Sequence, residues 1–140
     1  MGVKMNCTYV GEQTVKNIHG PSKSEITTTA PVDVGGTGRY FSPTDLLACS
    51  LGCCALTTMG KLAEKIGCDF EGSSVEVEKH VVQGPRRVGK ISADFKLSPN
   101  CTKEQREALE EAAYTCSVAC TLKGNVELDF NFTYNAVESG

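Results

Sequence analysis

Eight cysteines and two histidines are the residues of this 140-residue chain whose chemistry reaches beyond packing and solvation. Three thiols, Cys49, Cys53 and Cys54, fall inside one uncharged run from Leu46 to Gly60. Two more, Cys116 and Cys120, lie in a short apolar segment late in the chain. Three roles are open to them. They can be inert core residues, since free cysteine is among the most buried residue types. They can bind zinc, because Cys49 and Cys53 are four residues apart, as are Cys116 and Cys120, and each pair would share one helix face. That spacing lacks the short knuckle of a CxxC motif, and no histidine supplements it. Or one thiol from each segment can form a redox pair, a thiolate attacking the O–O bond of a peroxide and its neighbour resolving the sulfenic acid as a disulfide. Apolar surroundings would suit an organic peroxide better than a small polar one.

Other chemistries lack their parts. A Ser/His/Asp or Cys/His nucleophile needs a base. His19 sits in a turn and His80 on the solvent side of a strand, so both read as surface residues. No carboxylate pair stands out from the solvated acids. Gly35-Gly36-Thr37-Gly38 is not followed by the Gly-Lys-Ser/Thr ending that a phosphate cradle requires. A redox thiol in the uncharged run meets an electrostatic difficulty. Burial raises a thiol's pKa, and a position a dozen residues into a helix gains nothing from that helix's dipole. A cation, or backbone N–H groups from outside the helix, must therefore hold the thiolate.

The elements that would position these residues follow from local pattern. Residues 3–10, 13–18 and 24–29 have strand character and are joined by turns, giving a β-meander. After the glycine loop, Ser42 is a suitable N-cap, Pro43 a suitable first helical residue and Asp45 the third member of a capping box. One helix then runs over 43–66 and stops at Gly67. Residues 73–82 and 88–97 alternate apolar and polar across a turn and form a hairpin. A second helix, amphipathic through Leu109, Ala112 and Ala113, runs to about Tyr114; a short apolar turn or helix covers 116–122, and 126–134 is a final strand. The tail, 136–140, is expected to be loose. The order is that of a single α+β domain over 1–140 with antiparallel sheets around a long buried central helix. That helix carries Leu, Ala, Cys, Gly and Met on every face, so it needs cover on every face. One sheet and one amphipathic helix supply about half of that, which predicts an intimate homodimer with these helices at its centre.

Composition limits the partners. A net charge of −3 leaves no basic surplus for nucleic acid. The run 46–60 is shorter than a membrane span, and no secretory h-region follows Met1, so a soluble, cytoplasmic protein is expected. In that compartment thiols stay reduced, and eight cysteines would not form a disulfide framework.

Ser42-Pro43-Thr44-Asp45-Leu46-Leu47, followed by Leu51-Gly52-Cys53-Cys54 and by Cys116-Ser117-Val118, resembles the OsmC/Ohr family of thiol peroxidases. Family members carry an (S/N)P-x-(E/D)-L-L run with the peroxidatic cysteine eleven residues after the proline, a count that lands on Cys54. The resolving cysteine opens a Cys-(Pro/Ser)-Val segment, which lands on Cys116. The resemblance implies an intertwined homodimer with its active sites at the subunit interface. It implies reduction of organic hydroperoxides through a Cys54–Cys116 disulfide, with no bound cofactor or metal and an external dithiol, such as a dihydrolipoyl group, as reductant. It leaves Cys49 and Cys53 as core residues. The hydroperoxide-resistance branch places a Glu directly after the motif proline and uses an Arg from the N-terminal half. Here Thr44 follows Pro43, Asp45 comes one place later, and Arg39 is the only arginine before the helix. These departures are similar to the broader OsmC-like branch. The alternative implied by them is a non-catalytic dimer of the same fold that binds a small apolar ligand.

Overall fold

A computed structural model describes residues 2–98 and 100–134, and the chain divides into two compact units, 1–47 and 48–140. The loose tail expected over 136–140 lies outside the described residues.

In the first unit, β1 (Met5–Gly11), β2 (Thr14–His19) and β3 (Glu25–Thr29) form an antiparallel meander. Their Thr, Val and Ile residues suit a pleated surface. A short 3-10 turn over Val32–Val34 follows, and the glycine loop then folds back on the strand end. Gly36 donates its amide to Pro31 O at 2.9 Å, and a Cβ there would overlap the Ala30 carbonyl. Only glycine permits that approach. The unit ends in a capping box: Asp45 N donates to Ser42 Oγ at 3.0 Å while Ser42 N donates to Asp45 Oδ2 at 2.8 Å. The two bonds start α1 (Pro43–Ile66) where the sequence places it.

This first unit has no apolar core of its own. Among its described residues the buried ones are Thr28, Thr29 and Ser42, whereas Met5, Tyr9, Val10, Ile26 and Phe41 are exposed. A three-stranded meander in that condition is marginal alone.

The second unit holds the core. Along α1 the buried residues are Ala48, Leu51, Gly52, Ala55, Met59 and Ala63, a single stripe at helical spacing. Within one chain the helix is therefore covered on one side, not on every side as its composition suggests; Cys53, Thr57 and Lys61 are exposed. The stripe meets β4 (Ser74–Val82) and β5 (Arg87–Lys96), the expected hairpin. A Cβ on Gly52 would come within 3.1 Å of Val75 and Val77, so the glycine lets helix and sheet approach closely. Phe95 stacks on Phe132 of β6 (Glu127–Thr133) with ring centroids 4.8 Å apart.

The β6 pairing departs from expectation. It lies parallel to β5, not antiparallel. The reason is the crossover between them, since α2 (Lys103–Tyr114) and α3 (Ser117–Leu122) together return the chain to the end of the sheet at which β5 began. By length and composition α1 is also apolar enough to cross a membrane, contrary to the reading of the 46–60 run, because the helix extends beyond that run at both ends. The core helix of a soluble protein passes the same test.

A second correction concerns the cysteines. Cys68 and Cys101 are joined in a disulfide, Cα atoms 5.6 Å apart, where the sequence led us to expect free thiols. Their separation of 33 residues hides a meeting that the fold creates: α1 ends and α2 begins at the same place. The remaining described cysteines are free.

Candidate active site

Cys54 is the twelfth residue of α1, half-buried and packed against the core. Its own helix gives its sulfur nothing, because free N–H groups occur only in the first turn. The donor comes from elsewhere. Val118, in the first turn of α3, donates its backbone N–H to Cys54 Sγ at 3.5 Å across 64 residues of sequence. This is the external backbone N–H that a thiolate at this position requires. Thr58 Oγ1, one turn later, donates to the Cys54 carbonyl at 2.8 Å, fixing the helix backbone beneath the thiol.

Cys116 is the N-cap residue of α3 and is buried. Its thiol is hydrogen-bonded to Cys54, so the fold brings together the two cysteines singled out in the sequence. Burial pushes the Cys116 thiol up from its ordinary pKa, and the charge and hydrogen bond of Cys54 push the same way; the N–H groups of Ala119 and Val118 oppose them. Burial, the largest of these effects, leaves the Cys116 thiol above its ordinary value. The Val118 N–H thus serves both sulfurs, and the two differ in burial: Cys54 is half-buried and Cys116 buried. The Val118 donor was not foreseen from the sequence, since a backbone amide leaves no residue signature. Its position two residues after Cys116, at the start of a helix, was the available sign.

Each of the other sequence candidates has its own surroundings. Asp45 is engaged at the start of α1 by the Ser42 amide, and Thr44 lies beside it, its hydroxyl 3.3 Å from Ser42 Oγ. Arg39 is exposed in the first unit, its guanidinium 5.8 Å from the Tyr40 ring centre. His19 bonds Ser22 at 2.6 Å, and His80 sits between Ser92 and Glu78 on the exposed side of β4. Cys49 and Cys53 are not core residues: Cys53 is exposed, Cys49 is half-buried, and their sulfurs are 3.8 Å apart. They follow the buried Ala48 and Gly52 by one position, about 100° around the helix and off the core stripe. Burial first, then Cys53, pushes the Cys49 thiol up. Cys120 turns outward and donates to Thr115 O, away from Cys116. Among the described residues no three His, Cys, Asp or Glu side chains group to hold a metal ion.

Residues 36–131 match the family model described as OsmC-like protein. The chain belongs to the OsmC-like family. A solved structure of a protein from Psychrobacter arcticus, named for osmotic stress and detoxification responses, is 34% identical with a TM-score of 0.89, covering 95% of this chain and 98% of that one. Two organic hydroperoxide resistance proteins share the fold at lower identity. OsmC of Legionella pneumophila has a TM-score of 0.76 at 16% identity, covering 95% of this chain and 97% of that one. OhrB of Bacillus subtilis has a TM-score of 0.70 at 16% identity, covering 95% and 98%. Among curated proteins none matches the chain. The OsmC-like α+β fold of two sheets and a long helix is thus shared along nearly the whole length.

The burial and raised pKa of Cys116 have a direct chemical consequence. In the reduced, folded protein at pH 8, alkylation of Cys116 by iodoacetamide should be at least about tenfold slower than in urea. Labelling should accelerate as pH rises, because the thiol must lose its proton first. Peptide mapping after timed quenching reads both; equal rates in native and unfolded protein would contradict the geometry.

Proposed function

We propose that this OsmC-like protein is a thiol-dependent peroxidase that reduces organic hydroperoxides in the cytoplasm as part of peroxide-stress defence. The observation that carries the reading is the Cys54–Cys116 contact, with the Val118 N–H aimed at Cys54. In the proposed cycle the Cys54 thiolate attacks the terminal oxygen of the hydroperoxide. An S–O bond forms, the O–O bond breaks, and the alkoxide takes a proton and leaves as alcohol. The Cys116 thiol then attacks the sulfenic sulfur, an S–S bond forms and water leaves. An external dithiol, for which a dihydrolipoyl group is the candidate, reopens the disulfide by two exchanges and carries away the two electrons. The division of labour fits the different burial of the two thiols. The half-buried sulfur is the nucleophile, and the buried one waits for the sulfenic acid.

The names of the Legionella and Bacillus proteins, both organic hydroperoxide resistance proteins, support the substrate class. Thr44 in place of the branch's Glu, and the Val118 N–H directed at Cys54, point to a site whose thiolate relies on a backbone donor. A homodimer is part of the proposal. Among its described residues the first unit buries no hydrophobic side chain, and a second copy would cover Met5, Tyr9, Val10 and Ile26.

A second reading rests on a cavity of about 540 Å3 in the first unit, lined by Met5, Val15, Ile18, Ile26, Pro43 and Leu46. Its apolar walls would accept a small apolar ligand in a dimer without catalysis. Turnover separates the two readings. With cumene hydroperoxide and a dithiol, the wild type should consume peroxide and Cys54→Ser should fall to background. Cys116→Ser should react once at the wild-type rate and then stop as Cys54 over-oxidises. Undiminished turnover by Cys54→Ser would overturn the peroxidase assignment, and no turnover by the wild type with any dithiol would favour ligand binding. Sedimentation should give twice the chain mass of 14.9 kDa; a monomer at micromolar concentration would contradict the dimer.

A further inference from the structure

The Cys68–Cys101 disulfide has no place in the proposed cycle. Cys68 lies immediately beyond the end of α1, where Gly67 adopts φ +75° and Cys68 N donates to Ala63 O at 2.9 Å. Cys101 precedes Thr102, the N-cap of α2. A hydrogen bond already ties the two helix ends, Gln105 Nε2 donating to Ile66 O at 3.1 Å. The Cα separation of 5.6 Å falls in the range where a disulfide closes without backbone movement. The bond closes a loop of 33 residues that contains the whole β4–β5 hairpin.

Two further facts bear on its reactivity. Cys54 is separated from the end of α1 by twelve residues, about 18 Å of helix at 1.5 Å per residue, so the two pairs cannot exchange within one chain. And Cys68, although buried, is part of the lining of a cavity of about 530 Å3, together with Lys61, Glu64, Asp69, Phe70 and Glu71. A small thiol entering that cavity comes up against Cys68, and three carboxylates against one amine favour a neutral or cationic reagent over an anionic one.

We propose that Cys68 and Cys101 form a second, independent redox site, a reversible clasp between the ends of α1 and α2 that is closed by small disulfides and opened by small thiols through the Cys68 cavity. Closure proceeds by two exchanges. A thiolate of the pair attacks one sulfur of a small disulfide, expelling a thiolate and leaving a mixed disulfide. The second protein thiol attacks the protein-bound sulfur, forms Cys68–Cys101 and expels the other small thiolate. The protein loses two electrons and two protons, and the small disulfide gains them. Opening is the reverse. The clasp restricts the unfolded chain, so its oxidation state sets stability without touching the chemistry at Cys54.

The test uses full-length protein and neutral hydroxyethyl disulfide, followed by iodoacetamide blocking and peptide mapping. A Cys68–Cys101 linked peptide should form, and mercaptoethanol should release it in the folded protein. Reduction should lower the thermal midpoint by roughly 10 °C for a loop of this length. Cys54→Ser should retain both the linked peptide and the shift, which separates this site from the peroxidase reading. Cys101→Ala should start from the lower midpoint and show no shift. Alkylation of both Cys68 and Cys101 after disulfide treatment would overturn the proposal. So would an undiminished midpoint shift in Cys101→Ala, or bound metal that protects the two thiols. The mapping arm on wild-type protein needs no variant to fold.

Discussion

A thiol in the middle of a helix has no free N–H group within reach on its own element, and that constraint governs the second unit. The dipole of α1 acts at its first and last turns, and Cys54 lies at neither. Its sulfur is served by a different helix, whose first turn brings the Val118 amide to 3.5 Å and the Cys116 thiol alongside. The core can be read as the apparatus that holds α3 against the middle of α1. The buried stripe of α1 seats on β4 and β5 with Gly52 allowing the close approach. β6 completes the sheet through the Phe95 and Phe132 stack. The α2–α3 crossover, which forces β6 to run parallel to β5, carries Cys116 and Val118 to their places.

The two units solve the burial problem differently. The second closes a core of its own, from Leu51 and Met59 on α1 to Phe95 on β5 and Leu109 on α2. Among its described residues the first buries only hydroxyl-bearing ones and presents apolar side chains outward. Its strands have good local chemistry but cannot by themselves offset the entropy of ordering them. The proposed homodimer answers this, and the apolar breadth of α1 beyond its buried stripe asks for the same remedy.

Much of this was legible in the sequence, for identifiable reasons. Alternation and turn chemistry placed every strand within a residue or two, and the Ser42–Asp45 box fixed the start of α1 because both partners are local. Cys54 and Cys116 were legible through their segments. What escaped was long-range. The parallel pairing of β6 depends on the crossover's path, and the Cys68–Cys101 bond depends on two helix ends meeting across 33 residues. Val118 acts through its backbone, which no side-chain pattern records. Cys49 and Cys53 were placed in the core by composition, whereas a rotation of one residue takes them off the buried stripe.

The central claim is that Cys54 and Cys116 react as a pair. Mass spectrometry of the reduced protein after one equivalent of cumene hydroperoxide tests it directly, with residual thiols blocked before digestion. The account predicts a single new linked peptide, Cys54–Cys116, formed before any other cysteine is oxidised. Cys54 and Cys116 recovered fully alkylated after the peroxide has been consumed, or a disulfide joining Cys54 to Cys53 instead, would contradict it.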